Sequence, residues 1–201
     1  MDKNFLIKSK CELENKIESE LEFANEIKNY KVLFLGDSGV GKSSIINCLI
    51  KNQSKNNIVP TICIDFFKYT IELENKILKK NKLINFALWD LSGMATFLEI
   101  IRAYYIGSHY IIIVFDLTDY DSFLNIKKWY NEVRKLEYFD KVKCLLIGNK
   151  NDKKDKRVVS EDKVKEIVDY YGFEYYEMSS LDDNQNIKNI FNQFLIKSIV
   201  N

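Results

Sequence analysis

Gly36-Asp37-Ser38-Gly39-Val40-Gly41-Lys42-Ser43 is the stretch on which the fold turns. Four residues separate its first glycine from Gly-Lys-Ser, which is the spacing of a phosphate loop. An apolar β run over residues 30–35 precedes it, and a helical pattern over 43–50 begins inside it. That strand–loop–helix context is what the pattern requires. Successive backbone N–H groups from Asp37 to Ser44 form a concave anion nest, and the following helix adds positive potential at its amino end. The nest takes Asp37, Ser38, Gly39, Val40, Gly41 and Ser44 as main-chain binders. Lys42 is expected on the β- and γ-phosphates, and the Ser43 hydroxyl on Mg²⁺. Glycine is scarce, seven in 201 residues, and it is retained where φ must be positive or a ligand meets the main chain.

Working outward, the hydrophobic pattern alternates strands with helices. Residues 65–73 and 83–89 read as two strands of a hairpin separated by a polar stretch. Residues 110–115, 142–148 and 173–179 read as further strands. Helices are expected over 122–136, from a Ser160 cap to Gly172, and over 186–200. This order predicts an α/β fold with a mostly parallel six-stranded sheet, one antiparallel hairpin strand, and helices on both faces. Ligands of such sheets bind at the carboxyl ends of the strands, and the glycine motifs fall there.

Two more motifs share that edge. Asp90-Leu91-Ser92-Gly93 closes the second hairpin strand. Asp90 suits the carboxylate that holds the metal in phosphate-loop enzymes, and Gly93 can present a backbone N–H to a γ-phosphate. Asn149-Lys150-Asn151-Asp152 follows the strand ending at Gly148. A carboxylate at Asp152 accepts from the ring N–H and the exocyclic amine of guanine together. Adenine lacks that donor pair and would leave the carboxylate unpaired, at about 1–3 kcal/mol. The Lys150 stem is expected to cover one face of the base. An ATP-using phosphate-loop kinase or ATPase is disfavoured on these residues.

Composition excludes several classes. Net charge is +1, so no broad basic field argues for nucleic acid. The longest apolar run, 110–115, is far too short to span a bilayer. Cys11, Cys48, Cys63 and Cys144 are scattered, with neither metal-ligand spacing nor a disulfide framework. His109, the single histidine, is read as structural. The cluster from Lys153 to Arg157 reads as a solvated loop, as does the basic hairpin tip at 76–82.

From residue 30 to about residue 200 the chain resembles a small GTPase of the Ras superfamily, in its Rab-like branch. The resemblance rests on the phosphate loop with Ser44, on Thr61-Ile62-Cys63-Ile64-Asp65-Phe66, on Ala103-Tyr104-Tyr105 with Gly107, and on Phe115-Asp116-Leu117-Thr118-Asp119. Ser122-Phe123 and Ile126 with Trp129 add to it. It implies the small-GTPase fold over 30–201 and a GTP/GDP switch of intracellular vesicle traffic. Effector, exchange-factor and activating proteins would act through the switch regions on a monomeric cytoplasmic protein. Recruitment to endomembranes would be indirect. Thr61 becomes the switch threonine that ligates Mg²⁺ and senses the γ-phosphate, so the catalytic set reads Lys42, Thr61 and Gly93. Ser179, Ser180 and Leu181 fall in the loop over the guanine, with the Ser180 N–H directed at its oxygen.

The chain departs from the family in four places. Met94 stands where glutamine usually orients the attacking water, and a thioether has no useful donor. Hydrolysis is therefore expected to be slow, or absent in a GTP-bound scaffold. No aromatic lies between Ser44 and Asp65, and Leu49 is read as standing in for the one that usually packs near the base. Leu181 replaces the usual lysine of the last guanine loop, and Cys63 a usual glycine.

No cysteine follows Cys144, so either the protein is unlipidated or the chain continues past residue 201. Asp2 after Met1 argues against myristoylation. Residues 1–29 form a charged extension whose Leu13, Ile17, Leu21 and Ala24 recur at helical spacing. So short a helix needs a docking surface, either a partner's groove or its own domain.

Overall fold

The computed structural model describes residues 29–51, 61–75, 80–181 and 184–200. Most of the N-terminal extension and the hairpin tip at 76–79 therefore lie outside the described residues. Six strands form one sheet: β1 (Asn29–Leu35), β2 (Ile64–Asn75), β3 (Lys80–Leu91), β4 (Tyr110–Asp116), β5 (Lys143–Asn149) and β6 (Glu174–Glu177). Their order is β2-β3-β1-β4-β5-β6. Only β2 and β3 pair antiparallel, and all other neighbours run parallel. The expected sheet is the observed one.

Period-two alternation sorts β1 and β4 between two cores. Val32, Phe34, Ile112 and Val114 pack on one face, under α1 (Lys42–Lys51) and α6 (Asn184–Val200). Leu33, Leu35, Ile111, Ile113 and Phe115 pack on the other. That second face is covered by α2 (Leu98–Arg102), α3 (Tyr120–Leu124), α4 (Ile126–Val133) and α5 (Glu161–Tyr171). Because β4 is covered on both sides, all seven of its residues are buried.

Several expectations need correction. The single helix over 122–136 is two helices, separated by a turn at Asn125, where ψ opens to −7°. Its start is capped by Asp119, which accepts from the N–H groups of Asp121 and Ser122. The break has a cause in the site: the Asn125 amide donates to Asp37 at 2.6 Å. Ser160 holds the cap position of α5, but its side chain makes no capping bond. Gly172 closes α5 in the left-handed conformation as expected, at φ 70°. Leu49 does not stand in for a base-packing aromatic; it is 1% exposed and belongs to the core beneath α1. The hairpin strands run longer than expected, and β6 runs shorter.

Register, more than any single contact, assembles the ligand edge. Phe34 pairs with Asp90, which sets the Asp-x-x-Gly turn beside the glycine loop. Asp116 pairs with Asn149, and Gly148 with Glu177. Four loops distant in sequence thus open on one rim.

Candidate functional site

The phosphate loop leaves β1 through Gly36, whose φ is 139°. A Cβ there would lie 2.1 Å from the Val114 carbonyl oxygen, inside β4. Gly41, at φ 103°, opens α1, and the Ile45 N–H closes the first helical turn on its carbonyl at 3.0 Å. No acidic residue sits in the first turn of α1, so its positive end stays available to an anion. Ser38 and Gly39 are exposed at the tip, while Val40 is buried.

Lys42 is 6% exposed and donates to the carbonyls of Gly36 and Asp37, each at 2.8 Å. Burial pulls its ammonium down to about 8, against the raising effect of Asp90 and Asp37. The Asp37 side chain turns away from the loop. Asn125 and Trp129 hold its two oxygens, the indole N–H at 2.8 Å. Asp37 therefore contributes main chain, and its carboxylate is a brace that sequence reading missed. The signal available was Trp129, conspicuous in the pattern but given no role.

Ser43, Thr61 and Asp90 meet. The Ser43 hydroxyl donates to Asp90 Oδ2 and lies 2.9 Å from the Thr61 hydroxyl, which is 3.3 Å from the same carboxylate oxygen. Asp90 is fully buried, and its Oδ1 has no partner among the described residues. Burial raises its pKa, opposed by Ser43, Lys42 and Thr61. A buried carboxylate with an unspent oxygen beside two hydroxyls is a hard, all-oxygen donor set of the kind Mg²⁺ takes. The residues fit that ion.

Gly93 packs onto the phosphate loop itself. A Cβ on it would come within 2.3 Å of the Asp37 carbonyl carbon and the Ser38 nitrogen. Any side chain there would push the two loops apart. Met94, next in sequence, is 42% exposed; its N–H donates to the Ser92 hydroxyl at 3.3 Å and its carbonyl accepts from the Phe97 N–H at 3.1 Å. Just before β2, Cys63 takes φ 71°, a left-handed conformation that costs a non-glycine residue about 1–2 kcal/mol. Its carbonyl accepts from the Ser92 N–H at 2.9 Å, joining the end of the Thr61 loop to the Gly93 loop. Cys63→Gly should relieve that strain and raise the melting temperature by about 2–4 °C, read by thermal unfolding; a lower melting temperature would show that the side chain contributes more than its strain costs.

The loops after β5 and β6 are cross-braced. Asn149 is fully buried. Its amide donates to the Val40 carbonyl at 2.8 Å, and its Oδ1 accepts from the Ser180 N–H at 3.1 Å. The Ser180 N–H, expected at the guanine oxygen, thus already has a partner inside the protein. Asp152 accepts from the Ser179 hydroxyl at 2.6 Å, and that hydroxyl accepts from the Leu181 N–H at 3.0 Å. Lys150, at φ 65°, pairs with Asp116 at 2.5 Å, which directs its stem. Asp116 also takes the Thr118 N–H and hydroxyl, and these partners outweigh burial to keep its carboxyl below the usual range. Beneath the loop, the Cys48 thiol donates to the Ser180 carbonyl at 3.0 Å. The Leu181 side chain points outward, 58% exposed.

The profile of the Ras family matches residues 31–200 of this sequence. The chain belongs to the Ras family. Within it, the chain is similar to two yeast GTP-binding proteins. It is 40% identical to GTP-binding protein YPT1 of Saccharomyces cerevisiae over 162 residues, covering 81% of this chain and 75% of that protein. It is 38% identical to GTP-binding protein ypt1 of Schizosaccharomyces pombe, covering 81% of this chain and 76% of that protein. Members of the Ras family hydrolyse GTP, and Ras-family membership makes this chain a small GTPase. In this Ras-family chain Lys42, Ser43, Thr61, Asp90 and Gly93 stand together. Asn149, Lys150, Asp152 and Ser179 to Leu181 form a second group, and Asn149 joins it to the phosphate loop. No helix among the described residues is long and apolar enough to cross a membrane.

Proposed function

We propose that this chain is a Rab-like switch that binds GTP and GDP, hydrolyses GTP slowly, and controls effector binding in vesicle traffic. One observation carries the reading. Asn149 bridges the Val40 carbonyl of the phosphate loop to the Ser180 N–H of the guanine loop, so base and phosphates are gripped by one connected frame. Asp152 provides the guanine-selective carboxylate, with Ser179 holding it in place. Ser43, Thr61 and Asp90 would hold Mg²⁺, which when bound offsets charge on the β- and γ-phosphates. Lys42, the loop N–H groups and the amino end of α1 stabilise charge developing on the γ-phosphoryl oxygens. Water would attack the γ-phosphate in line, but Met94 offers nothing to orient it.

An apolar surface adjoins the switch elements and supplies the effector-reading face. Phe66, Trp89 and Tyr104 form an aromatic run with ring centroids 5.0 and 5.3 Å apart. Ile62 and Phe66 stand 77% and 57% exposed beside Thr61, where ordering by the γ-phosphate would be read. Exchange and activating proteins would approach the same side. Membrane association would come through such partners, with the protein monomeric in the cytoplasm.

A second reading, a GTP-bound scaffold without turnover, is favoured by Met94 alone. Single-turnover hydrolysis separates the two. Wild type should hydrolyse at or below the unassisted Ras-type scale of about 10⁻⁴ s⁻¹, and Met94→Gln should be faster. A wild type faster than the variant would overturn the account of Met94. Titration with GTP and ATP tests the reading as a whole: equal affinity would remove the guanine assignment.

A further inference from the structure

At the end of the sheet opposite the nucleotide edge lies a cleft of about 330 Å³. Tyr130, Phe139, Val142, Tyr171 and Phe194 supply its apolar lining, beside the charged side chains of Asp140, Lys143, Glu174 and Lys197. They come from α4, from the loop before β5, from the end of α5 and from the last turns of α6. The cleft therefore crosses the amino ends of β5 and β6, between the helices of one face and α6 on the other. Tyr130 and Tyr171 meet at 4.3 Å, and Phe139 at 5.5 Å extends the aromatic wall. None of these residues serves the nucleotide site.

The chain itself arrives at this end. β1 runs parallel to β4, and β4 to β5, so its first residue, Asn29, emerges at the base of the domain. Two strand spacings, about 10 Å, separate β1 from β5. Twenty-eight residues precede Asn29, and among them Leu13, Ile17 and Leu21 fall on one face at helical spacing. From Leu21 to Asn29 an extended chain reaches about 25 Å, which exceeds the distance to the cleft. Between positions 12 and 26 the extension carries Glu12, Glu14, Glu18, Glu20, Glu22 and Glu26 against Lys16, a polar remainder suited to staying in water while the stripe is buried. So short a helix is marginal alone. Tethered by a few residues, it meets its own domain at an effective concentration of about millimolar, which a free partner with a similar groove does not match.

We propose that the segment around Leu13, Ile17 and Leu21 docks as an amphipathic helix into this basal cleft of its own domain. The extension is then an intramolecular cap on the face opposite the switches.

The test uses the full chain and a variant carrying Leu13→Asp, Ile17→Asp and Leu21→Asp, all outside the domain that binds nucleotide. Backbone hydrogen exchange at residues 139–144 and 171–174 should be at least about threefold faster in the variant. Light scattering should give a monomer for both, with GTP affinity unchanged. A photo-crosslinker at position 17 of the full chain should form adducts within the same chain, at residues 139–144, 171–174 or 194–197. Equal exchange in the two chains, or adducts elsewhere, would overturn the proposal. So would protection that coincides with a dimeric mass lost in the variant, which would assign the cleft to a second copy's extension. Loss of guanine binding in both chains would instead strike the proposed function and leave this cleft unaffected.

Discussion

Asp152→Asn should lower affinity for GTP by about tenfold to a hundredfold and raise affinity for xanthine nucleotides, with little change in melting temperature. On the proposed reading the carboxylate accepts two donors from guanine, and an amide would reverse one of those hydrogen bonds. Leaving one donor unmatched in a desolvated site costs about 1–3 kcal/mol, and each 1.4 kcal/mol is a factor of ten. Xanthine presents an acceptor where guanine has its amine, so the amide restores the match. The fold should tolerate the change because Asn retains an oxygen for the Ser179 hydroxyl, now 2.6 Å from Asp152 Oδ1. Competition titrations with guanine and xanthine nucleotides check it. Unchanged preference would mean that Asp152 does not face the base.

Asn149→Ala should damage stability and binding together. Asn149 has no exposure, and both ends of its amide are used within the protein. Truncation strands the buried Val40 carbonyl and the Ser180 N–H, each at about 1–3 kcal/mol. A loss of about 2–6 kcal/mol follows, or roughly 4–24 °C in melting temperature for a domain of this size. Gly41 shows how closely the amide is fitted, because a Cβ there would lie 2.1 Å from the Asn149 nitrogen. Thermal unfolding and a GTP titration on one preparation read both effects. A variant that keeps its melting temperature but loses GTP would show that Asn149 meets only the nucleotide. The opposite result would show only a brace. The pair of variants separates recognition from scaffolding, since Asp152→Asn should move affinity alone.

Much of this molecule is legible one residue at a time. The phosphate loop, Asp90 with Gly93, and Asn149 to Asp152 are short contiguous motifs, and backbone chemistry demands those residue types at those spacings. The alternation of apolar strands with helices sufficed for the sheet, including its one antiparallel pair, because period-two and helical patterns are local. Gly172 was readable for the same reason: a helix that ends in the left-handed region selects glycine.

What the sequence could not disclose depends on which distant residues come face to face. The break at Asn125 is invisible in a helical pattern, because its cause is Asp37, in the glycine loop 88 residues away in sequence. Trp129 entered the sequence reading only through the family resemblance, and only the fold puts its indole N–H on the same carboxylate. Leu49, near the nucleotide loop in sequence, points into the core because α1 rotates it there. The Ser180 N–H was assigned to the base, yet Asn149 reaches it first. The sequence by itself determined the fold class, the ligand edge and the nucleotide's chemical class, since each follows from local periodicity or contiguous backbone geometry. Tertiary structure alone decided how the loops are held, because strand register and helix rotation set long-range hydrogen-bond partners that no local pattern encodes.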